Sequence, residues 1–358
     1  MQLSEIYDSQ SVAINRTEVE SNRIPYLGEA FFPNRRKAGI DLGWIKTHKG
    51  LSVALKPSNF DAQPTIRPRG QVTKTKESMP FFRESMIIKE HDMMEIARIT
   101  DQNDPYLQPV LESIYSDANE LIDGADISAE RMRMQLLSAN EGKMGIAIGT
   151  ADNMVYSYNY DDDGSWKASH YLELLDDAKW SNAETAKPLT DIQRAITALE
   201  KIGVRAAYVL GTGATFDYLI ENTQVKNALI TSMGTAVSFI DRDSVEEVIR
   251  RKLKVELLPY DKMFTDYDGT EKKFYPDDYI TIIGSGTLGN TWYGTTPEEV
   301  TARGNYPQAA VDISVMDRGI AIAVQNEYKP AFTVTTTASQ ICLPSFEGMD
   351  SIYVIKVN

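Results

Sequence analysis

Apolar and small residues recur in steps of four and three through Leu107, Leu111, Ile114, Ala118, Leu121 and Ala125, and the stripe resumes after a small phase drift at Met132, Leu136 and Ala139. That spacing lines one face of an α-helix and predicts an element over residues 105–140. Asp104 suits the cap and Pro105 the first turn. At 1.5 Å per residue it would run roughly 50 Å, long for a compact domain. Gly124 leaves a second option, two ordinary helices meeting at a kink.

The chain before this helix has a different texture. Residues 1–33 mix polar runs with the apolar anchors Ile24 to Leu27 and Phe31-Phe32, which reads as an irregular arm. Short strands are expected at Gly39–Lys46 and Leu51–Leu55, with His48-Lys49-Gly50 as the turn between them. Residues 60–91 follow, carrying Pro64, Pro68 and Pro80 with Arg67, Arg69, Lys74, Lys76, Arg83 and Lys89. Proline lacks the backbone donor that a helix uses. A charged, extended arm buries little of itself and should not be stable alone, so something else must cover it. The simplest cover is another copy of the same chain.

After the long helix, Met144–Ile148 and Val155–Tyr160 read as a hairpin. From Trp166 helices and strands alternate: helix Thr190–Ile202, strand Arg205–Leu210, helix Thr215–Glu221, and helix Ser244–Lys254 opening on a Ser244/Glu247 capping box. Strands Val255–Leu258 and Tyr279–Ile283 follow. Beyond Gly319 the pattern returns to strand at Ile320–Gln325, Ala331–Leu343 and Ser351–Val357. The whole is α+β, with one α/β insertion, about 176–317, inside a domain built from the long helix and its flanking strands.

Composition narrows the function. The 358 residues carry a net charge of −14, which argues against a general nucleic-acid binder, since phosphate neutralisation needs surplus Lys and Arg. The single cysteine, Cys342, excludes an intramolecular disulfide and reads as a small buried hydrophobe. No run approaches the ~20 apolar residues of a membrane span, and no signal-peptide stretch opens the chain. A soluble, cytoplasmically made protein is expected.

Few motifs carry chemistry. Gly284-Ser285-Gly286-Thr287-Leu288-Gly289 follows a strand and matches the dinucleotide fingerprint. That site needs a helix starting at the loop, and Gly294 and Pro297 fall where the helix should be, so a tight glycine turn is expected. Gly211-Thr212-Gly213 could seat an anion at the next helix but lacks the lysine of a phosphate loop. Asn159 to Gly164 resembles the start of a calcium loop, yet its twelfth position is His170 rather than a bidentate glutamate. His48, His91 and His170 are scattered, and no zinc pattern can be written. The basic run Arg250-Arg251-Lys252 with Lys254 closes a helix, where the dipole favours cations; a solvated face or a partner contact would explain it. No cofactor and no metal is expected.

Taken together, Tyr26-Leu27-Gly28-Glu29-Ala30-Phe31-Phe32-Pro33, Ile40-Asp41-Leu42, Trp44-Ile45-Lys46, Leu55-Lys56-Pro57-Ser58, Arg67-Pro68-Arg69-Gly70 and Met79-Pro80-Phe81-Phe82 resemble the phage major capsid protein E family, the lambda-like branch of the Hong Kong ninety-seven type capsid fold. The order of elements fits over nearly the whole chain; the central α/β part matches in pattern only. The resemblance implies an N-terminal arm over 1–36, peripheral-domain strands over 37–59 and an extended E-loop hairpin over 60–91. It further implies a peripheral domain over 92–175 with its spine helix at 105–140, an axial domain over 176–317, peripheral return strands over 318–345, and a C-terminal strand over 346–358 in the axial domain. Inter-subunit contacts are then expected from Arg67, Arg69, Lys74, Lys76, Phe81, Phe82 and Arg83 of the E-loop, and from Tyr26, Phe31, Phe32, Arg35 and Arg36 of the arm. Lysine cross-linking through Lys74 or Lys76 has no further support.

The implied function is that of a virion structural protein. Hexamers and pentamers would form an icosahedral shell enclosing double-stranded DNA, assembled in the host cytoplasm with a separate scaffolding protein and a portal and with room for a decoration protein. Two other classes stay open at this point: a nucleotide-dependent α/β enzyme using Gly284–Gly289, and a phage tail or decoration binding module.

Overall fold

A computed structural model describes residues 7–20, 26–46, 73–91, 93–94, 107–149, 155–233, 241–266, 268–304, 311–316, 318–329 and 331–358. The chain divides into two compact units. The first gathers Met1–Leu42, Lys76–Arg131 and Asn290–Ser345; the second gathers Gly43–Thr75, Met132–Gly289 and Phe346–Asn358. These units are defined by packing, whereas the arm, E-loop, peripheral and axial segments are defined by role in a shell.

The first unit is built on a sheet ordered Asn34–Arg36, Asn290–Tyr293, Ala331–Ser345, Ala321–Lys329, Val311–Val315, with Phe81–Ile88 also paired to Ala331–Ser345. Only the first pairing is parallel. Along the 15-residue strand Ala331–Ser345, Val334, Thr336 and Ala338 are buried while Thr333, Thr335 and Thr337 are half-buried, the period of two that a one-sided sheet imposes. The buried row packs with Ile322 and Val324 against Val12 of the helix Ser9–Glu20 and against Ile114, Ala118 and Leu121 of the long helix.

That long helix is continuous over Leu107–Ser138, 32 residues or about 48 Å. The alternative of two helices meeting at Gly124 is not what forms: Gly124 sits inside the helix, its carbonyl accepting the Ser128 hydroxyl at 2.9 Å. The helix ends where Ala139 turns left-handed and a short 3-10 turn, Asn140–Gly142, follows. Its predicted stripe is buried at Ile114, Ala118, Leu121, Ala125, Met132 and Leu136.

The charged run is where expectation and structure part. Residues 60–72, with Arg67 and Arg69, lie outside the described residues, as do Leu51–Leu55 and the turn at 48–50. Thr73–Ser78 pairs with Asp41–Lys46 in a two-stranded ribbon. Phe81–Ile88 is a full member of the sheet, in register from Phe81 opposite Ile341 to Ile88 opposite Val334. Met79, Pro80 and Ile88 are buried. So this end of the run contributes core, contrary to the reading that it buries little. Counting charges hid the alternation: Met86 and Ile88, two residues apart, face the long helix, while Arg83 and Ser85 face away.

The second unit carries a five-stranded sheet ordered Tyr171–Glu173, Ile352–Lys356, Tyr279–Gly284, Ala206–Gly211, Glu256–Pro259. Tyr279–Gly284 runs antiparallel to both neighbours, and the two outer pairings are parallel. Every residue of Tyr279–Gly284 is buried, the signature of a strand covered on both faces. Helices Pro188–Lys201, Gly213–Glu221, Thr223–Met233 and Arg242–Leu253 cover one face through Ile192, Leu199, Phe216, Leu229 and Ile249. The predicted capping box is displaced. The cap of the last helix is Asp241, whose carboxylate accepts the Ser244 backbone N–H at 3.0 Å. An aspartate one turn earlier outcompetes the serine, which supplies only its N–H.

Candidate assembly surfaces

The glycine-rich loops resolve first. After Gly284, Gly286 takes φ +100°, a conformation open to glycine, and the chain passes into the strand Asn290–Tyr293. A phosphate site of the dinucleotide type uses a helix N-terminus at this point, and a strand occupies that place. The loop Gly211–Gly213 does lead into a helix, capped by Thr212 through the Thr215 N–H at 3.3 Å. Its anion position is filled by the chain itself: both carboxylate oxygens of Asp261 accept the Gly213 N–H at 3.0 Å. The calcium-like turn is also spent on capping. Asp161 accepts the N–H groups of Trp166 and Lys167, each at 3.0 Å, and Asp163 that of Ser165 at 3.1 Å. His170, at the twelfth position, is buried and stacked on Trp166 at 6.0 Å. Burial holds its imidazole below the usual value, with the Asp350 carboxylate opposing.

The residues expected in the N-terminal arm separate into two groups. Phe31 and Phe32 are 4% and 0% exposed in this chain, so the expectation that they contact a neighbour is corrected: a side chain without surface has none to offer. The strand Asn34–Arg36 pairs beside Asn290–Tyr293, and the Thr291 hydroxyl donates to the Phe32 carbonyl at 3.0 Å. That pulls the two aromatic rings into the core. Tyr26 is half-buried, Arg35 is exposed, and Arg36 pairs with the buried Glu299 at 2.5 Å.

Among the E-loop residues, Lys76 pairs with Asp41 at 3.0 Å across the ribbon, both ends well exposed. Such a pair is worth little, ~0–1 kcal/mol. Lys74 lies in Thr73–Ser78 with its side chain outside the described residues. Phe81 and Phe82 are half-buried. Arg83 stacks over the Phe81 ring at 4.6 Å and pairs with Glu298, which also accepts the Ser339 hydroxyl at 2.7 Å. Arg83 therefore has partners in its own chain, on the sheet and on the helix Pro297–Arg303.

The long helix contributes two kinds of acid. Glu112, Asp117 and Glu120 are exposed and have no ion-pair partner among the described residues. Asp123, Asp126 and Glu130 lie inward. Arg16 binds Asp123 at 2.6 Å and Asp126 at 3.1 Å; Arg318 reaches Asp126 at 3.1 Å and Glu29 at 3.5 Å; Glu130 accepts the Gly28 N–H at 2.9 Å. Arg16, Asp126 and Glu130 are each at most 5% exposed. Sequence reasoning missed this network. Its signal was the three- and four-residue spacing of Asp123, Asp126 and Glu130, which sets them along the border of the apolar stripe.

No helix among the described residues is long and apolar enough to cross a membrane. The model of the family "Phage major capsid protein E" matches residues 9–337. Two solved structures share the fold over nearly their full length. One is a prophage protein of E. coli CFT073 assigned as a capsid protein, 13% identical, covering 98% of this chain and 99% of that one with a TM-score of 0.61. The other is a phage-related protein from Bordetella bronchiseptica RB50, 10% identical, covering 96% and 95% with a TM-score of 0.54. No curated protein matches this sequence. The family match, on an α+β chain that shares the Hong Kong ninety-seven type fold, settles the assignment: this chain belongs to the phage major capsid protein E family, the head-forming structural proteins of tailed phages.

Proposed function

We propose that copies of this chain close into hexamers and pentamers and tile an icosahedral shell around double-stranded DNA, as a structural subunit without catalytic activity. In this reading assembly takes place in the host cytoplasm, with a separate scaffolding protein and a portal as partners. The arm, E-loop, peripheral and axial segments keep the roles that the family resemblance implies.

The observation that carries this reading is a pair of opposite charge surpluses on one chain. The outward side of the long helix presents Glu112, Asp117 and Glu120 with no cation on them among the described residues. Residues 62–76 hold Arg67, Arg69, Lys74 and Lys76 and no acid. A basic strap and an acidic beam on the same chain satisfy each other when the strap of one copy lies along the helix of the next. Such a contact is head-to-tail, and head-to-tail contacts close into rings when the rotation is right. Each pair contributes ~0–1 kcal/mol and is screened by salt. Together they set register and penalise wrong contacts more than they supply affinity.

The test is paired. Arg67→Glu with Arg69→Glu should leave the circular-dichroism melting transition in place while sedimentation and negative-stain microscopy show no shells or aberrant ones. Normal shells from the double variant would show that the strap does not govern assembly through charge. Absence of shells from the parent chain would sink the assembly reading itself. Calorimetric titration with NAD and with ATP should show no saturable micromolar binding; binding lost on Gly286→Val would favour the nucleotide enzyme instead.

A further inference from the structure

The second unit carries opposite charges beside opposite edges of its five-stranded sheet. At one edge, the strand Glu256–Pro259 is entered from the helix Arg242–Leu253. The last turn of that helix and its left-handed cap hold Arg250, Arg251, Lys252 and Lys254, all exposed, around the half-buried Leu253. None of the four cations has a side-chain partner among the described residues, although Glu246 and Glu247 stand one turn earlier on the same helix. Four such cations in five residues are conspicuous in a chain of net charge −14.

At the other edge, the strand Tyr171–Glu173 runs out into Leu174 to Asp177. Leu175 is 64% exposed, and Asp176 and Asp177 beside it are exposed with no cation on their carboxylates among the described residues. The turn is held by its backbone. The Ala178 N–H donates to the Leu175 carbonyl at 3.0 Å, the Asn182 amide to that of Asp176 at 2.9 Å, and the Thr185 hydroxyl to that of Asp177 at 2.6 Å. One exposed leucine is ordinary on any surface. An exposed leucine followed directly by two exposed carboxylates, on a turn pinned by hydrogen bonds to its backbone carbonyls, is a preformed knob with an apolar centre and an acidic flank.

The two features cannot meet within one copy. Four interstrand spacings separate the edge strands, ~19 Å. The strands at both edges run in the same direction, because each pairs in parallel with a strand antiparallel to Tyr279–Gly284. The basic turn precedes its strand and the acidic turn follows its own, so they occupy diagonally opposite corners of the sheet. Two complementary patches on different parts of one surface are the requirement for a head-to-tail contact.

We infer that the Arg250–Lys254 corner of one copy docks on the Leu175–Asp177 corner of the next copy, second unit against second unit. This contact rests on the assembly reading above and deepens it, since it sets the order of subunits around a ring. Leu253 and Leu175 supply the apolar centre, and the charges steer encounter and reject the reversed orientation.

The experiment has two arms. In the first, the variants Arg251→Cys and Asp177→Cys, each with one exposed cysteine, are mixed and treated with a short bis-maleimide. Cys342 is 0% exposed and stays out of the reaction in the folded chain. Cross-linked dimer should form in the mixture and not in either variant alone. In the second arm, Arg250→Glu with Arg251→Glu and Lys252→Glu should lower the sedimenting fraction at least tenfold with an unchanged melting transition. Adding Asp176→Lys and Asp177→Lys to the same chain should recover most of it. Particles from the parent without cross-linking in the mixture, or reversal without rescue, would overturn this inference and leave the capsid reading standing. Cross-linking without particles from the parent would sink the shell and keep the contact. Absence of both would overturn both.

Discussion

In the second unit, one continuous stretch, Met132–Gly289, supplies four of the five strands of the sheet and the helices that cover it; only Ile352–Lys356 arrives from elsewhere. In the first unit, three separated stretches each contribute strands to one sheet. The polar contacts differ accordingly. The helices of the second unit are closed by local caps such as Thr212 and Asp241. In the first unit the side chains of Arg16 and Arg318 meet on Asp126, and Arg36 meets Glu299, tying residues that are more than a hundred positions apart in sequence. Closing long loops costs entropy before any contact is made. The contrast teaches that apolar patterning suffices where neighbours in space are neighbours in sequence. Where they are not, paired buried charges fix which distant segment belongs where.

The most severe way to break this comparison is Arg16→Met. It leaves Asp123 and Asp126 facing a buried site without their main cation, and removing one partner of a buried pair costs roughly 3–5 kcal/mol. Denaturant melts should show that loss, and Asp126→Asn in the same chain should recover part of it. A loss below ~1 kcal/mol would mean that the network does not hold the first unit together. Core truncation comes next. Ile114→Ala in the first unit and Ile282→Ala in the second should each cost roughly 2–5 kcal/mol, read as a lower denaturant midpoint and a smaller soluble yield. A negligible effect of Ile114→Ala would remove the long helix from the core.

Capping sharpens the local half of the comparison. Asp241→Ala should cost about 1 kcal/mol, whereas Ser244→Ala should cost little, because Ser244 donates only its backbone N–H to the cap. Equal losses would restore Ser244 as a capping residue. The smallest effect is the pH dependence carried by His170 in the second unit. Burial lowers its folded value below the unfolded 6.5, so the unfolded chain binds more protons as pH falls. The stability that His170 contributes is therefore complete above about pH 6.5 and is lost as pH drops through the depressed folded value. Asp350 opposes the shift and keeps the slope shallow. Thermal melts between pH 7 and pH 5 should steepen less for His170→Gln than for the parent; identical slopes would take His170 out of the account.

How far each region could be read from its residues follows the same division. The helix at Leu107–Ser138 and the strand Tyr279–Gly284 were legible because burial on a fixed period leaves a direct trace in side-chain type. The α/β alternation after Trp166 was legible for the same reason, with ends displaced by one or two residues where Asp241 and Thr212 compete for the caps. The burial of Phe81–Ile88 is not legible locally, because its alternation acquires an inner face only by pairing with Ala331–Ser345. The burial of Phe31 and Phe32 is not legible either, because an irregular segment has no period from which to infer it.

The sequence by itself determined the family, the α+β class and the position of the long helix, since these depend on local patterns and on the matching motifs between Tyr26 and Phe82. It also pointed to a tight turn at Gly284–Gly289 in place of a phosphate-binding helix, since Gly294 disfavours a helix running on from that loop and Pro297 suits only the start of a later one. Tertiary structure alone decided that Asp261 fills the helix N-terminus at Gly213, that Arg36 serves the buried Glu299, and that opposite charges stand beside opposite edges of one sheet. Each of these depends on which strands become neighbours. Strand order arises from many weak contacts between residues far apart in sequence, and no local period encodes it.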